Sequence, residues 1–172
     1  AQNLTARANN AGSVLTTANG LAATVALYGG ALSGSASESI VDYHTDAHIA
    51  DGANITVTSD VVVDADSSFS HTGEAAAAAG STLASAGLSN DTTVLNTETL
   101  AYIGDNAQVS AKDIDITANN SVSITSAVAA ASIGSVGGNG SVGVNDIDSI
   151  TKAYIGASAN IIATGTAADE GI

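Results

Sequence analysis

Residues 101–118, AYIGDNAQVSAKDIDITA, decide how this chain is read. Ala101, Ile103, Ala107, Val109 and Ala111 alternate with polar neighbours, and Ile114 and Ile116 resume the alternation after a change of phase at Lys112-Asp113. Alternation at period two places one set of side chains on one face of a strand, and the change of phase marks a turn. Between Ile103 and Ala107 stand Gly, Asp and Asn, residue types that tolerate the left-handed backbone of a tight corner. The stretch therefore predicts a strand, a corner, a second strand, a turn and a third strand. Small inward side chains let these strands pack closely, while Tyr102 points outward.

The first nine residues of the stretch return twice. AYIGASANI begins at Ala153 and a fainter copy, AHIADGANI, at Ala47, so the copies start a little over fifty residues apart. Each copy follows a polar lead-in, SIVDYHTD, TVLNTETL or DIDSITK, and before it a tract of small residues such as EAAAAAGSTLASAGLS (residues 74–89). Near the start, ARANNAGSVLTTA echoes ITANNSVSITSA, with Asn9-Asn10 matching Asn119-Asn120. The units read as 1–46 (partial), 47–100, 101–152 and 153–172 (partial). That phase is expected of an excerpt from a longer array, because repeat arrays usually end in atypical caps.

Composition supports strands over a bulky globular core. Hydrophobic residues are 45% of the chain, yet they are mostly Ala, Val and Ile, with one Phe and no Trp or Met; β-branched and small groups suit stacked strands. The Ala-rich tract is the strongest helix signal, since Ala has the best helix propensity. Its counterparts in the other units are rich in Gly, Val and Ser, so it is assigned to strand. Short strands at a fixed period suit a parallel β-solenoid. With coils of about twenty residues, each repeat would hold two or three coils and the segment would form a rod roughly 35 to 45 Å long. The competing architecture is a set of antiparallel sandwich modules, for which Asn19-Gly20, Asp51-Gly52 and Asn139-Gly140 are hairpin-type dipeptides. Sandwiches call for larger core side chains and units nearer 100 residues.

Charge narrows the partners. Seventeen acids against three basic residues give a net charge of −14, which argues against nucleic acid and against anionic membrane surfaces. The uncharged stretch at residues 119–145 is too rich in Ser, Asn and Gly to enter a bilayer. No Cys is present, so disulfides and thiolate metal sites are excluded.

DYHTDAH places Asp42, His44, Asp46 and His48 at alternate positions. On a strand His44 and His48 lie roughly 13 Å apart, too far to share one ion, and the other units repeat no ligand set there. A solvated outer face is expected. GGNGSVGVND (residues 137–146) begins like a calcium-binding Gly-Gly-x-Gly-x-Asp nonapeptide, but Val142 stands where the Asp ligand belongs. The remaining metal candidates are Asp113 with Asp115 and Asp146 with Asp148, each pair expected on one strand face, where loose Ca²⁺ contact is conceivable; surface solubility explains them more simply.

Catalysis is not expected. The chain has no Gly-x-Ser-x-Gly elbow and no Gly-x-x-x-x-Gly-Lys loop, and Tyr28, Tyr43, Tyr102, Tyr154 and Phe69 are few for a sugar platform. Thr pairs at Thr56 and Thr58, Thr97 and Thr99, and Thr164 and Thr166 sit at different places in their units, which argues against an ice-binding face. No catalytic residue and no cofactor is assigned.

NDIDSITKAYIGASANI, small-residue tracts such as AAASIGSVGGNGSVGVN, and the acidic Cys-free composition resemble the repeat regions of very large bacterial filamentous-haemagglutinin-like and leukotoxin-family filamentous adhesins. The resemblance runs over the whole chain and is one of repeat style. It implies a right-handed parallel β-helix, export by a type V route and an extracellular or cell-surface stalk or adhesive surface. Its expected partners are neighbouring repeats, a host or matrix ligand, or further copies joined end to end through exposed strand edges.

Overall fold

The computed structural model describes residues 2–24 and 29–165; Tyr28, Thr166 and the end of the unit at 153–172 lie outside them. Every element is a strand. In chain order these are β1 (Leu4–Ala23), β2 (Gly30–Ile49), β3 (Asn54–Thr56), β4 (Val61–Gly80), β5 (Ala84–Ile103), β6 (Gln108–Ala111), β7 (Ile114–Ile133), β8 (Val136–Ile155) and β9 (Asn160–Ala163). They form three parallel sheets, β1-β4-β7, β2-β5-β8 and β3-β6-β9. Each unit gives one strand to each sheet, an arrangement consistent with a β-helix or solenoid. Parallel pairing also removes the antiparallel sandwich, and Asn19-Gly20 and Asn139-Gly140 lie within β1 and β8 rather than at turns.

The size of the coil departs from the sequence-based expectation. A repeat holds one turn of the stack, not two or three, because the small-residue tract, the polar lead-in and the start of the phrase run together as one strand. β5 carries all three over 20 residues, about 66 Å at ~3.3 Å per residue. Three rungs at ~4.8 Å put the first and third only about 10 Å apart. The segment is thus a wide, short stack and not a rod of 35 to 45 Å. Small side chains are compatible with either coil size, and in the structure the alternation of burial runs unbroken through the end of the tract and the lead-in.

Register ties the repeats together. Ala47 pairs with Ala101 and Ala101 with Ala153, and Ile49, Ile103 and Ile155 follow in the same way. Asn9 stands over Asp66, which stands over Asn119, so the echo between the two Asn-Asn pairs is a true register match. The Ala-rich tract is strand, split between β4 and β5 by a turn at residues 81–83.

The two wide sheets face each other, and the apolar core sits at the end nearest the repeated phrase. There Val61, Val63, Ala101, Ile103, Ala107 and Val109 are buried together with Ile49 and Ala111. Toward the opposite end the interior changes to Ala on β4 and Ser on β2 and β5: Ala75, Ala77 and Ala79 face the side of Ser33, Ser37, Ser85 and Ser89. The two sheets nearly touch here, since a methyl added to Gly20 would strike the carbonyl oxygen of Gly34. That half also lacks charge: residues 18–36, 75–90 and 128–142 contain no Asp, Glu, Lys, Arg or His.

Candidate functional site

The chemically richest surface is the outer face of β2, β5 and β8 beside the repeated phrase. Alternation sends Asp42, His44, Asp46 and His48 outward, as expected of a solvated face. His44 Nδ1 lies 3.1 Å from a Glu98 carboxylate oxygen, and His48 Nδ1 lies 3.0 Å from Asp46 Oδ1. Asn96 donates from Nδ2 to Asp42 Oδ1 at 2.8 Å across the rungs. His44 Nε2 also lies 4.0 Å from Asp46 Oδ2, so Glu98, His44, Asp46 and His48 form a chain of contacts along the face. Among the described residues no group of three or more His, Cys, Asp or Glu is arranged to hold a metal ion.

Beside them runs a column of rings. His48, Tyr102 and Tyr154 stack with centroids 4.9 Å apart at each step and planes within 7°. That spacing equals the distance between rungs, so register alone creates the stack. Tyr102 is covered on both faces by its neighbours, while His48 and Tyr154 are each covered on one. Burial foremost, and then Asp46, Tyr154 and Asp51, hold the Tyr102 hydroxyl above its usual 10.0; burial does the same to Tyr43. In the unfolded chain these phenols ionise near pH 10. The fold keeps them protonated to higher pH, so stability is complete below that value and falls as pH rises through it. Thermal midpoints measured from about pH 8 to about pH 11 should hold level and then decline past about pH 10, with Tyr102→Phe making the decline shallower.

The corner itself is built by backbone and carboxylates. Gly52, Asn106 and Ser158 each adopt positive φ, at 66°, 56° and 58°. Asp51 Oδ1 accepts the backbone N–H of Asp105 at 2.8 Å, and Asp105 Oδ1 accepts that of Ala157 at 2.7 Å. Each aspartate thus satisfies a backbone donor in the following rung. Asp105→Ala should cost about 1 kcal/mol in chemical denaturation, and Asp105→Asn, which keeps an acceptor oxygen, should recover most of it.

The weaker candidates separate in space. Asp113 lies in the turn before β7 while Asp115 is in the strand, hydrogen-bonded to Thr117. Both are exposed, with the less exposed Ile114 between them. Asp146 and Asp148 do share the outer face of β8. Thr97 and Thr99 point inward and are buried.

Two interior groups escaped the sequence reading. Asp91 is fully buried, accepts a hydrogen bond from the Ser126 hydroxyl, and has its Oδ1 unpartnered. It fits because the facing residue is Gly73, where a Cβ would collide with both carboxylate oxygens. His71 is buried with both ring nitrogens unpartnered. Counting by twos back from Ala101 would have placed Asp91 inside, but a carboxylate without a cationic partner is not an expected core residue. Sealed from solvent, these groups meet no solute, and their chemistry is internal.

No family model, curated protein or solved structure matches the chain.

Proposed function

We propose that this chain is a structural segment of a secreted or surface-displayed bacterial adhesin, a closed right-handed β-helix that serves as stalk or spacer and supports adhesion by regions it carries. The observation behind this reading is the register. The same columns, Ala47-Ala101-Ala153 and Ile49-Ile103-Ile155, repeat from rung to rung, while the polar outer face changes from one rung to the next at the positions of His44, Glu98 and Ile150. Selection on shape preserves inward columns; a shared reaction or ligand would preserve an outer set. In this reading the segment is extracellular, works without cofactor or catalysis, and leaves Ca²⁺ at most a loose association with Asp146 and Asp148.

Immobilised segment probed with extracellular-matrix proteins and a panel of host glycans tests the assignment. A spacer binds none of them saturably. Saturable binding that an excess of soluble ligand competes away would convert the segment into a ligand-binding module and overturn the spacer reading.

A further inference from the structure

The column of rings has a chemistry that no single strand carries. His48, Tyr102 and Tyr154 occupy the same place in successive copies of the repeated phrase, and register sets them over one another. Tyr102 and Tyr154 are thereby two phenols held face to face, with centroids 4.9 Å apart and planes 6° from parallel. Among the described residues no other two tyrosines touch; Tyr43 packs instead against Phe69. His48 covers the other face of Tyr102, but an imidazole resists the oxidants that take an electron from a phenol. The reactive contact is therefore the one between the two tyrosines.

A phenol that loses one electron and its hydroxyl proton becomes a radical whose unpaired spin is shared with the ring carbons beside the C–O bond, Cε1 and Cε2. When both rings reach that state, a Cε of Tyr102 and a Cε of Tyr154 join by a carbon–carbon bond. The hydrogen on each joined carbon then moves to oxygen and restores both hydroxyls. In sum two C–H bonds break, one C–C bond forms, and two electrons and two protons leave. Hydrogen peroxide, working through a haem peroxidase, takes them up and becomes two molecules of water. Position favours the coupling. The two side chains are rooted one rung apart, at ~4.8 Å, and such contact raises their effective concentration far above that of groups joined by a flexible loop. Tyr102 also stays partly exposed although both its faces are covered, so its ring edge, where the hydroxyl and the Cε atoms lie, is open to an oxidant.

We propose that Tyr102 and Tyr154 are an oxidative cross-linking site, at which peroxide chemistry joins neighbouring rungs of one chain through a dityrosine bond. The bond closes the loop of chain between them and adds a covalent tie to rungs otherwise held by hydrogen bonds and packing, which limits the freedom of the unfolded chain as other cross-links do. The inference rests on register within a single chain, so saturable ligand binding by the segment would leave it standing.

Treatment of dilute protein with hydrogen peroxide and a haem peroxidase tests it, followed by tryptic digestion and mass measurement. Trypsin cuts after Arg7, Lys112 and Lys152, which leaves Tyr102 on residues 8–112 and Tyr154 on residues 153–172. In the wild type these two peptides are expected to appear joined, at the sum of their masses less two hydrogens, and dityrosine fluorescence is expected in a product of monomer size. Tyr43→Phe should behave as wild type. Tyr102→Phe should yield at least about tenfold less of the joined pair. Adding Val94→Tyr to Tyr102→Phe restores the number of phenols on the same outer face, but roughly 26 Å along the strand, and should not restore the link. The linked wild type should unfold at a midpoint at least about 5 °C above the untreated chain. Three results overturn the proposal: a wild type that gives no joined pair or links only between chains, a joined pair that persists in Tyr102→Phe or returns with Val94→Tyr, or a linked chain no more stable than the untreated one.

Discussion

Gly104→Ala is expected to destabilise the chain by about 1–3 kcal/mol through overpacking alone, and by about 1 kcal/mol more through loss of the bond between Asp51 and the Asp105 N–H. The new methyl would lie 2.6 Å from a backbone nitrogen and would also strike the Asp51 carboxylate. The carboxylate can swing aside but the main-chain nitrogen cannot, so the corner of the second rung must shift away from the first. Doing so strains the bonds from Gly104 N to Ile49 O and from Gly52 N to Asp105 O, at 2.8 and 2.7 Å. The internal control is already in the sequence: Ala50 occupies the same column where no described rung precedes it. Ala50→Gly should accordingly change stability by no more than about 1 kcal/mol. Urea midpoints for the two variants decide the matter, and equal small shifts would refute the steric account.

The second large effect is expected at Ile103. Its side chain is fully buried between Ile49 and Ile155 in the column that anchors the apolar core. Ile103→Ala leaves a cavity bounded by stacked strands, which can collapse only by breaking register, and should cost about 2–5 kcal/mol. Ile155→Ala removes the same atoms from the same column one rung later. With Ile155 already 49% exposed, the loss there should be about 1 kcal/mol or less. Denaturant unfolding of both variants under one set of conditions measures the contrast, and similar losses would mean that the third rung contributes as much to the core as the second.

The repeated phrase could be read from sequence because its features are local. Period-two alternation, the Gly-Asp-Asn corner and the outward Tyr102 each follow from a few consecutive residues, and the repeat aligned the rungs correctly even for Asn9 and Asn119. Coil size was not legible in the same way. A tract of Ala, Gly and Ser alternates small with small, so no contrast in polarity shows that β4 and β5 continue unbroken for 20 residues. The aromatic stack was hidden because it depends on register between rungs: His48, Tyr102 and Tyr154 are far apart in sequence and only stacking makes them neighbours. Asp91 was hidden for the opposite reason. Its position follows from the alternation, but its acceptance into the core depends on Gly73 across the interior and Ser126 in the next rung, two partners that sequence spacing alone does not bring together.

The length of the strands sets how such a body responds to load. A cross-section about 66 Å wide, made of two long sheets with the short third sheet at one end, resists bending within the sheet plane far more than bending across it, because stiffness rises with the cube of the dimension being bent. A solenoid with short triangular coils resists all directions about equally. These stacked sheets are a plank in cross-section: tension along the stacking axis loads every interstrand hydrogen bond of a rung at once, whereas a push across the sheets meets only the thin dimension.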